Sequence, residues 1–364
     1  MVERTVESYL EQLEYNYTFL GQERIPIDNV APIDKGTSIH LSFCSSDKDE
    51  DIEAILNSNS GIILCKKSIV DVIRQKNKFI SSNSSLPKLF VFVDNPRLVF
   101  IKIARLMKDH KDNRKGVSKL AIIADSAKIG RDCYLGDLAI VGEGCIVGDN
   151  TIIDSSIVLK NSIVGNNCTL QSGSIVGEDG FAFERDNNMN LEKFPHYGKV
   201  IIKNNVEIFA NCSIARGSLT NTVIEEGTKI DALCHIAHNV HIGKNTQVTA
   251  GVVVGGSTII GNNCWLGLNS TIKHKIKIGD NVIVGSGSSV IQNVEDKDIV
   301  AGNPAKSIKH KINISEDKLF LIGGQSNVNR NEEHRQTFQK KDYSIKLKGL
   351  TYLYILIGTL LTTA

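Results

Sequence analysis

The 364-residue chain is short of several residue types: one Trp, three Met, six Pro and 6% aromatics, against 30 Gly. So few rings leave little for the aromatic platforms on which single-stranded nucleic acids stack. The core must come from small and β-branched aliphatics, which leans away from helix bundles. Charge of one sign is also lacking, with a formal net charge of +2, so nucleic acid and anionic membrane exert no general pull. The eight cysteines include no C-x-x-C pair, which excludes a disulfide or zinc framework. The N-terminus, MVERTVESYLEQLEY, has no apolar h-region, so a cytoplasmic protein is expected. The only long apolar run, Leu350–Leu361, falls short of the roughly 20 residues of a spanning helix. It reads as a segment packed on the body or a neighbouring subunit, or as a weak anchor at the inner membrane face.

What the chain has is repetition. Stepping by six from Ile224 gives Ile230, Ile236, Ile242, Val248, Val254, Ile260, Leu266, Ile272, Ile278, Val284 and Val290, all aliphatic. The same step links Ile129, Leu135, Val141, Val147 and Ile153, continues through Val158, Val164, Leu170 and Val176 after a one-residue slip, and returns at Ile202, Ile208 and Ile214. This period predicts a mainly β chain built as a parallel β-helix of hexapeptide repeats. Each hexad is a strand and a turn with its aliphatic inward, and three hexads close a triangular coil. Gly often follows the aliphatic, as at Gly136, Gly243 and Gly261, where a tight corner needing positive φ is expected. Cys133, Cys145, Cys168, Cys212, Cys234 and Cys264 each lie four residues after a register aliphatic, as small inward filler.

The register divides the chain. Residues 1–115 mix helical patterns (Val6–Tyr15, Asp51–Ser58, Pro96–Lys108) with strand-like runs (Gly61–Cys65, Leu89–Val93), predicting a small α/β domain. The β-helix is expected over 118–300. Within it, 178–198 leave the register and should form an inserted loop, with Lys193 and His196 reaching toward a substrate. Val294–Ser307 is expected to turn away from the prism, and 301–364 form a C-terminal extension.

The histidines are few, so their register matters. His238 and His274 both stand two residues after their aliphatics and are 36 residues apart, with Gly256 midway between them. They should share one column of one face, separated by a gap without a side chain.

His238 lies in KIDALCHIAHNVHIG, Lys229–Gly243. With VDNPRLVFIKIARLM (Val93–Met107), EDGFAF (Glu178–Phe183), KFPHYGKVII (Lys193–Ile202) and NVEIFANCSIARGSL (Asn205–Leu219), it resembles the UDP-3-O-acylglucosamine N-acyltransferases of lipid A synthesis. These are left-handed β-helix enzymes that act as trimers with sites between subunits. The resemblance implies an amide-forming transfer of an acyl group, 3-hydroxyacyl in the family, from acyl carrier protein or acyl-CoA to a nucleotide-linked amino sugar. It implies His238 as general base, Asp231 as the group that orients its ring, and the Gly256 amide as oxyanion donor. Phe43, Gly180, Phe181, Lys193, His196 and Asn239 would meet the acceptor, and His274, Lys275 and Lys306 the donor. No bound cofactor or metal, no nucleic acid partner and no transmembrane span are expected.

Some positions depart from the family pattern. Ala232 follows Asp231 where the family has Asn, and Ala215 replaces an Asp before Arg216 and Gly217. Lys275 stands where the family has its second histidine, and the uracil-contacting positions read Phe43, Ser46 and Asp49. IVAGNPAKSIKHK (Ile299–Lys311) resembles the closing segment of coenzyme A-dependent sugar acetyltransferases, so an acetyl-CoA-dependent nucleotide-sugar acetyltransferase for surface glycans is the alternative. Two other classes are a zinc carbonic anhydrase of this repeat type, using His235, His238 and His241, and a non-catalytic β-helix scaffold. The zinc reading is opposed by His235 and His241 being one hexad apart, hence on different faces.

Overall fold

The computed structural model describes residues 4–80, 88–108 and 114–308. The basic end past Ile308 and the Leu350–Leu361 run lie outside the described residues. The chain divides into two units, Met1–Arg114 and Lys115–Ala364.

The first unit is an α/β sandwich. Its elements are α1 (Val6–Gln12), β1 (Thr18–Gly21), β2 (Asn29–Val30), β3 (His40–Phe43), α2 (Asp49–Asn57), β4 (Ile62–Lys66), α3 (Val70–Ile80), β5 (Leu89–Val93) and α4 (Pro96–Lys108). The sheet order is β1-β5-β4-β3-β2, parallel except for β1. β5 is buried along its whole length, as a central parallel strand covered on both faces must be. The sequence reading missed β1, β2, β3 and α3, whose patterns are short or interrupted by polar residues.

The second unit is a left-handed parallel β-helix. Its three faces are sheets of nine, eight and eleven strands, here called faces A, B and C in that order. Most strands are two residues long, the outer one half-buried or exposed and the inner one buried. The register aliphatics Ile224, Ile236, Val254 and Ile278 are fully inaccessible, and burying each such side chain contributes about 1.5–3 kcal/mol.

Where the step of six holds, the slot four residues after the aliphatic is filled by Cys, Thr, Ser, Val, Ile or Ala, buried in nearly every coil. Cys and Thr serve it alike: the Cys234 thiol donates to the Thr249 carbonyl at 3.1 Å and the Thr246 hydroxyl to the Gly261 carbonyl at 2.9 Å. Burial pushes the Cys168 and Cys264 thiols up to about 11, so they are unreactive filler.

Three sequence expectations change here. Positive φ falls three residues after the aliphatic, at Asn245, Asn263, Asn269 and Gly251, rather than at the glycine that follows it, with Gly177 (φ 90°) the exception. That glycine serves close stacking instead: a Cβ on Gly243 would meet the Gly261 carbonyl carbon at 2.5 Å. The inward residue after Ile153 is Leu159, paired with Val141, not Val158. The one-residue slip therefore lies later, between Leu159 and Val164. Last, the chain does not leave the prism at Val294. Ile299–Gly302 extends face C by pairing with Ile283–Val284, and only then does Ala305–Ser307 fold back antiparallel.

Candidate active site

Between Ile129 and Val290 the inward residues keep a step of six except at three places. The step is five from Leu159 to Val164, 26 from Val176 to Ile202 and ten from Ile214 to Ile224. All three fall where the chain passes from face A to face B. They occur in successive coils, so one edge of the prism carries every irregularity. His238 lies on the next turn of that edge, between the strands His235–Ile236 and His241–Ile242.

The long insertion leaves the register as expected and folds as a β-hairpin, Phe183–Arg185 against Leu191–Lys193. Asp179 anchors it, accepting from Lys193 Nζ at 2.6 Å and Arg216 Nε at 2.7 Å. The Lys193 and Arg216 bonds hold the Asp179 carboxyl below its usual range against the opposing effect of burial. The two insertions are stitched together: the Tyr197 amide donates to the Ser218 carbonyl at 2.6 Å, and the Arg216 amide to the Glu178 carbonyl at 2.9 Å. Gly198 is required here, since a Cβ on it would sit 2.0 Å from the Thr220 carbonyl oxygen.

This stitching sets the state of His238. Its Nδ1 lies 2.9 Å from Asn239 Oδ1. Main-chain partners fix which end of the Asn239 amide is which: Oδ1 accepts from the Ser218 amide at 3.1 Å, and Nδ2 donates to the Thr220 carbonyl at 3.2 Å. Oδ1 can only accept, so Nδ1 of neutral His238 carries the hydrogen and Nε2 carries the lone pair. That nitrogen faces Gly256, where a Cβ would stand 2.7 Å away. On its other side the ring lies against Gly180, whose Cβ would meet His238 Cβ at 2.6 Å. Among the described residues, the Gly256 amide donates to no protein acceptor. A half-buried imidazole lone pair and an unengaged amide donor in adjacent coils are groups that could serve an acyl transfer as base and oxyanion donor.

The structure relocates several of the expected site residues. Asp231 is on the turn between faces C and A, one edge away, and its Oδ1 caps the Ala232 amide at 2.8 Å. Within one subunit it does not hold His238; Asn239 does. Asn239 in turn is committed to Ser218, Thr220 and His238, which leaves its side chain no capacity for a substrate. His196 is 4% exposed and packs edge-to-face on His238, ring centroids 5.8 Å apart, instead of projecting outward. Burial lowers its basicity.

Other expected residues are exposed or lie elsewhere. Gly180 touches His238, while Phe181 is 86% exposed and packs at a tilt on Phe183, ring centroids 5.0 Å apart. Lys193 faces solvent beside Asp179. His274 and Lys275 are exposed on the turn after Gly256, where the Lys275 amide donates to the Gly256 carbonyl at 2.9 Å. Lys306 is exposed on the closing strand. In the first unit, Phe43 packs on Phe100 with ring centroids 4.7 Å apart. His235 and His241 stand on faces A and B, and among the described residues no group of three or more His, Cys, Asp or Glu could hold a metal ion. Sequence reasoning missed Ser218, Thr220 and Thr222 around Asn239 and the Asp179–Arg216 pair. The broken step at Ile214–Ile224 was the available signal for the first group.

Residues 221–256 and 257–292 match the bacterial transferase hexapeptide family, and 117–181 match the GMPPB C-terminal domain. The UDP-3-O-acylglucosamine N-acyltransferase of Cupriavidus pinatubonensis is 35% identical over 298 residues, 76% of this chain and 80% of that protein. That of Saccharophagus degradans is 38% identical over 253 residues, 64% and 69% of the two chains. Among solved structures, the UDP-N-acetylglucosamine O-acyltransferase of Moraxella catarrhalis aligns with a TM-score of 0.48 at 24% identity, covering 67% of this chain and 91% of that one.

Proposed function

The chain belongs to the UDP-3-O-acylglucosamine N-acyltransferase family, and from that premise we propose that it acylates the amino group of a nucleotide-linked amino sugar in lipid A synthesis. The observation that carries the reading is the state of His238, with Nδ1–H bound to Asn239 and the Nε2 lone pair toward Gly256. The amine attacks the carbonyl carbon of an acyl thioester, and Nε2 takes the proton the nitrogen must lose. The Gly256 amide stabilises the oxyanion. The C–S bond then breaks, and the departing thiolate recovers the proton from the imidazolium. An amide oxygen orients the ring but supplies no negative charge to the imidazolium, unlike the carboxylate of a Ser-His-Asp triad.

Gly180, Phe181 and Lys193 border the acceptor side in this reading. His274 and Lys275, one coil past Gly256, and Lys306 meet the phosphates of an acyl carrier protein or acyl-CoA donor. The working form is a cytoplasmic homotrimer. Product mass spectrometry on a panel of nucleotide amino sugars, each with acyl carrier protein and CoA thioesters, tests this. An N-acylated UDP-sugar supports it; acetylation alone from acetyl-CoA would move the chain to surface-glycan synthesis, and no transfer with any pair would refute the reading.

A further inference from the structure

His196 is chemically odd for packing filler. It is 4% exposed, its Nδ1 lies 2.9 Å from the Phe194 carbonyl oxygen, and its Nε2 is buried with no hydrogen-bond partner among the described residues. A carbonyl can only accept, so Nδ1 of neutral His196 carries the hydrogen and Nε2 is a bare acceptor. Such an atom is costly to bury, and an apolar ring of similar size would avoid the cost. The ring stands at 80° to His238, and Phe194 meets it edge-on with ring centroids 6.4 Å apart.

We propose that His196 is a positioning residue: its ring, tethered through Nδ1 to the Phe194 carbonyl, walls in His238 so that the base keeps Nδ1 on Asn239 and Nε2 toward Gly256. Gly180 and Gly256 bound other parts of the His238 ring but offer no side chain to resist its rotation. Asn239 fixes one nitrogen but not the tilt about that bond. The tether supplies the missing restraint, because it sets the plane of the ring on which His238 leans. A phenylalanine would fill the space without the tether, and a glutamine would keep a donor for the carbonyl without the ring. Neutral His196 also leaves His238 free to take positive charge during turnover, which a second imidazolium beside it would oppose. The consequence for turnover rests on His238 being the base, whereas the orientation of the ring does not.

The test uses the full chain with ¹⁵N-labelled histidine, the His238 signals being assigned by their loss in His238→Gln. Wild type should show His238 as a single Nδ1–H tautomer without substrate. His196→Phe and His196→Gln should each mix the two tautomers and lower kcat about three- to tenfold with KM within twofold. His196→Ala, losing both ring and tether, should lower kcat by more than tenfold. Retention of the single tautomer in both the Phe and Gln variants would overturn the proposal whatever the chain acylates. So would a loss of kcat that only tracks a loss of folded protein by circular dichroism. A mixed tautomer with unchanged kcat would uphold the positioning of His238 by His196 and remove the base role of His238.

Discussion

Two edges of the same prism show opposite uses of the hexad. Along the edge between faces B and C the step of six never breaks from Ile129 to Val284, and the turns are variations on one pattern. Asn, Asp or Gly takes positive φ, a glycine stacks on the coil beside it in most of them, and a Cys, Thr or Val closes the slot, as at Gly243 to Thr246 and Gly261 to Cys264. The edge between faces A and B loses one residue and gains two insertions in three successive coils, and only then resumes the pattern at His238. Regular turns have most of their backbone donors met by the next coil, so they bear side chains without positioning them. The irregular edge adds chain that owes nothing to stacking. That chain is free to grip Asn239, cover His238 and hold Asp179 with Lys193 and Arg216.

The contrast can be broken most severely at the base. His238→Ala should lower kcat by about 10²–10⁴, the worth of positioned proton transfer, with the melting temperature nearly unchanged because the aliphatic register is intact. Unaltered kcat in steady-state assays would show that the departing thiolate takes the proton unaided. Asn239→Ala should cost about 10–10²-fold, a part of the same term, and more than Asp231→Asn in parallel assays. The reverse order would return the orienting role to Asp231.

On the regular edge, Ile242→Ala should cost about 2–5 kcal/mol in urea unfolding while the folded fraction keeps its kcat. A collapse of kcat without loss of stability would mean that the two edges are not separable. The smallest effects are pH-linked. Asp179 is held below its ordinary range, so its contribution to stability is full above pH ~4 and is lost as pH falls further. His196 is buried with lowered basicity, so between its ordinary value near 6.5 and the lower folded value the unfolded chain binds more protons, and stability falls as pH drops through that window. His196→Gln should flatten that part of the melting curve series, and an unchanged slope would show that His196 is not its source.

The prism was legible because a six-residue period constrains every strand at once, and even a wrong choice at one hexad is corrected by its neighbours. Ile157, Val158 and Leu159 are three aliphatics in a row, so periodicity could not say which points inward, and the slip was misplaced. The column of His238, Gly256 and His274 followed from the same arithmetic. Asp231 could have been judged the same way: seven residues are one hexad plus one, which carries it to the next edge of the triangle. Asn239 could not, because what it binds comes from an insertion with no period. His196 was misread for the same reason, since a polar residue in a non-repeating segment looks exposed until the hairpin folds it under.

The most direct test pairs one glycine from each edge. The atoms nearest a Cβ on Gly256 are those of the His238 ring, Nε2 first at 2.7 Å, whereas a Cβ on Gly261 meets the Gly279 carbonyl oxygen at 2.5 Å and Asp280 Oδ1 at 2.4 Å. Gly256→Ala should therefore fold with nearly wild-type stability and lose kcat by about 10²-fold, the scale set by misplacing a reacting group by an ångström. Gly261→Ala should lose about 1–3 kcal/mol of stability through overpacking, with the folded fraction turning over normally. A Gly256→Ala enzyme with wild-type kcat would contradict the account, because the lone pair of His238 would then not be working over that glycine.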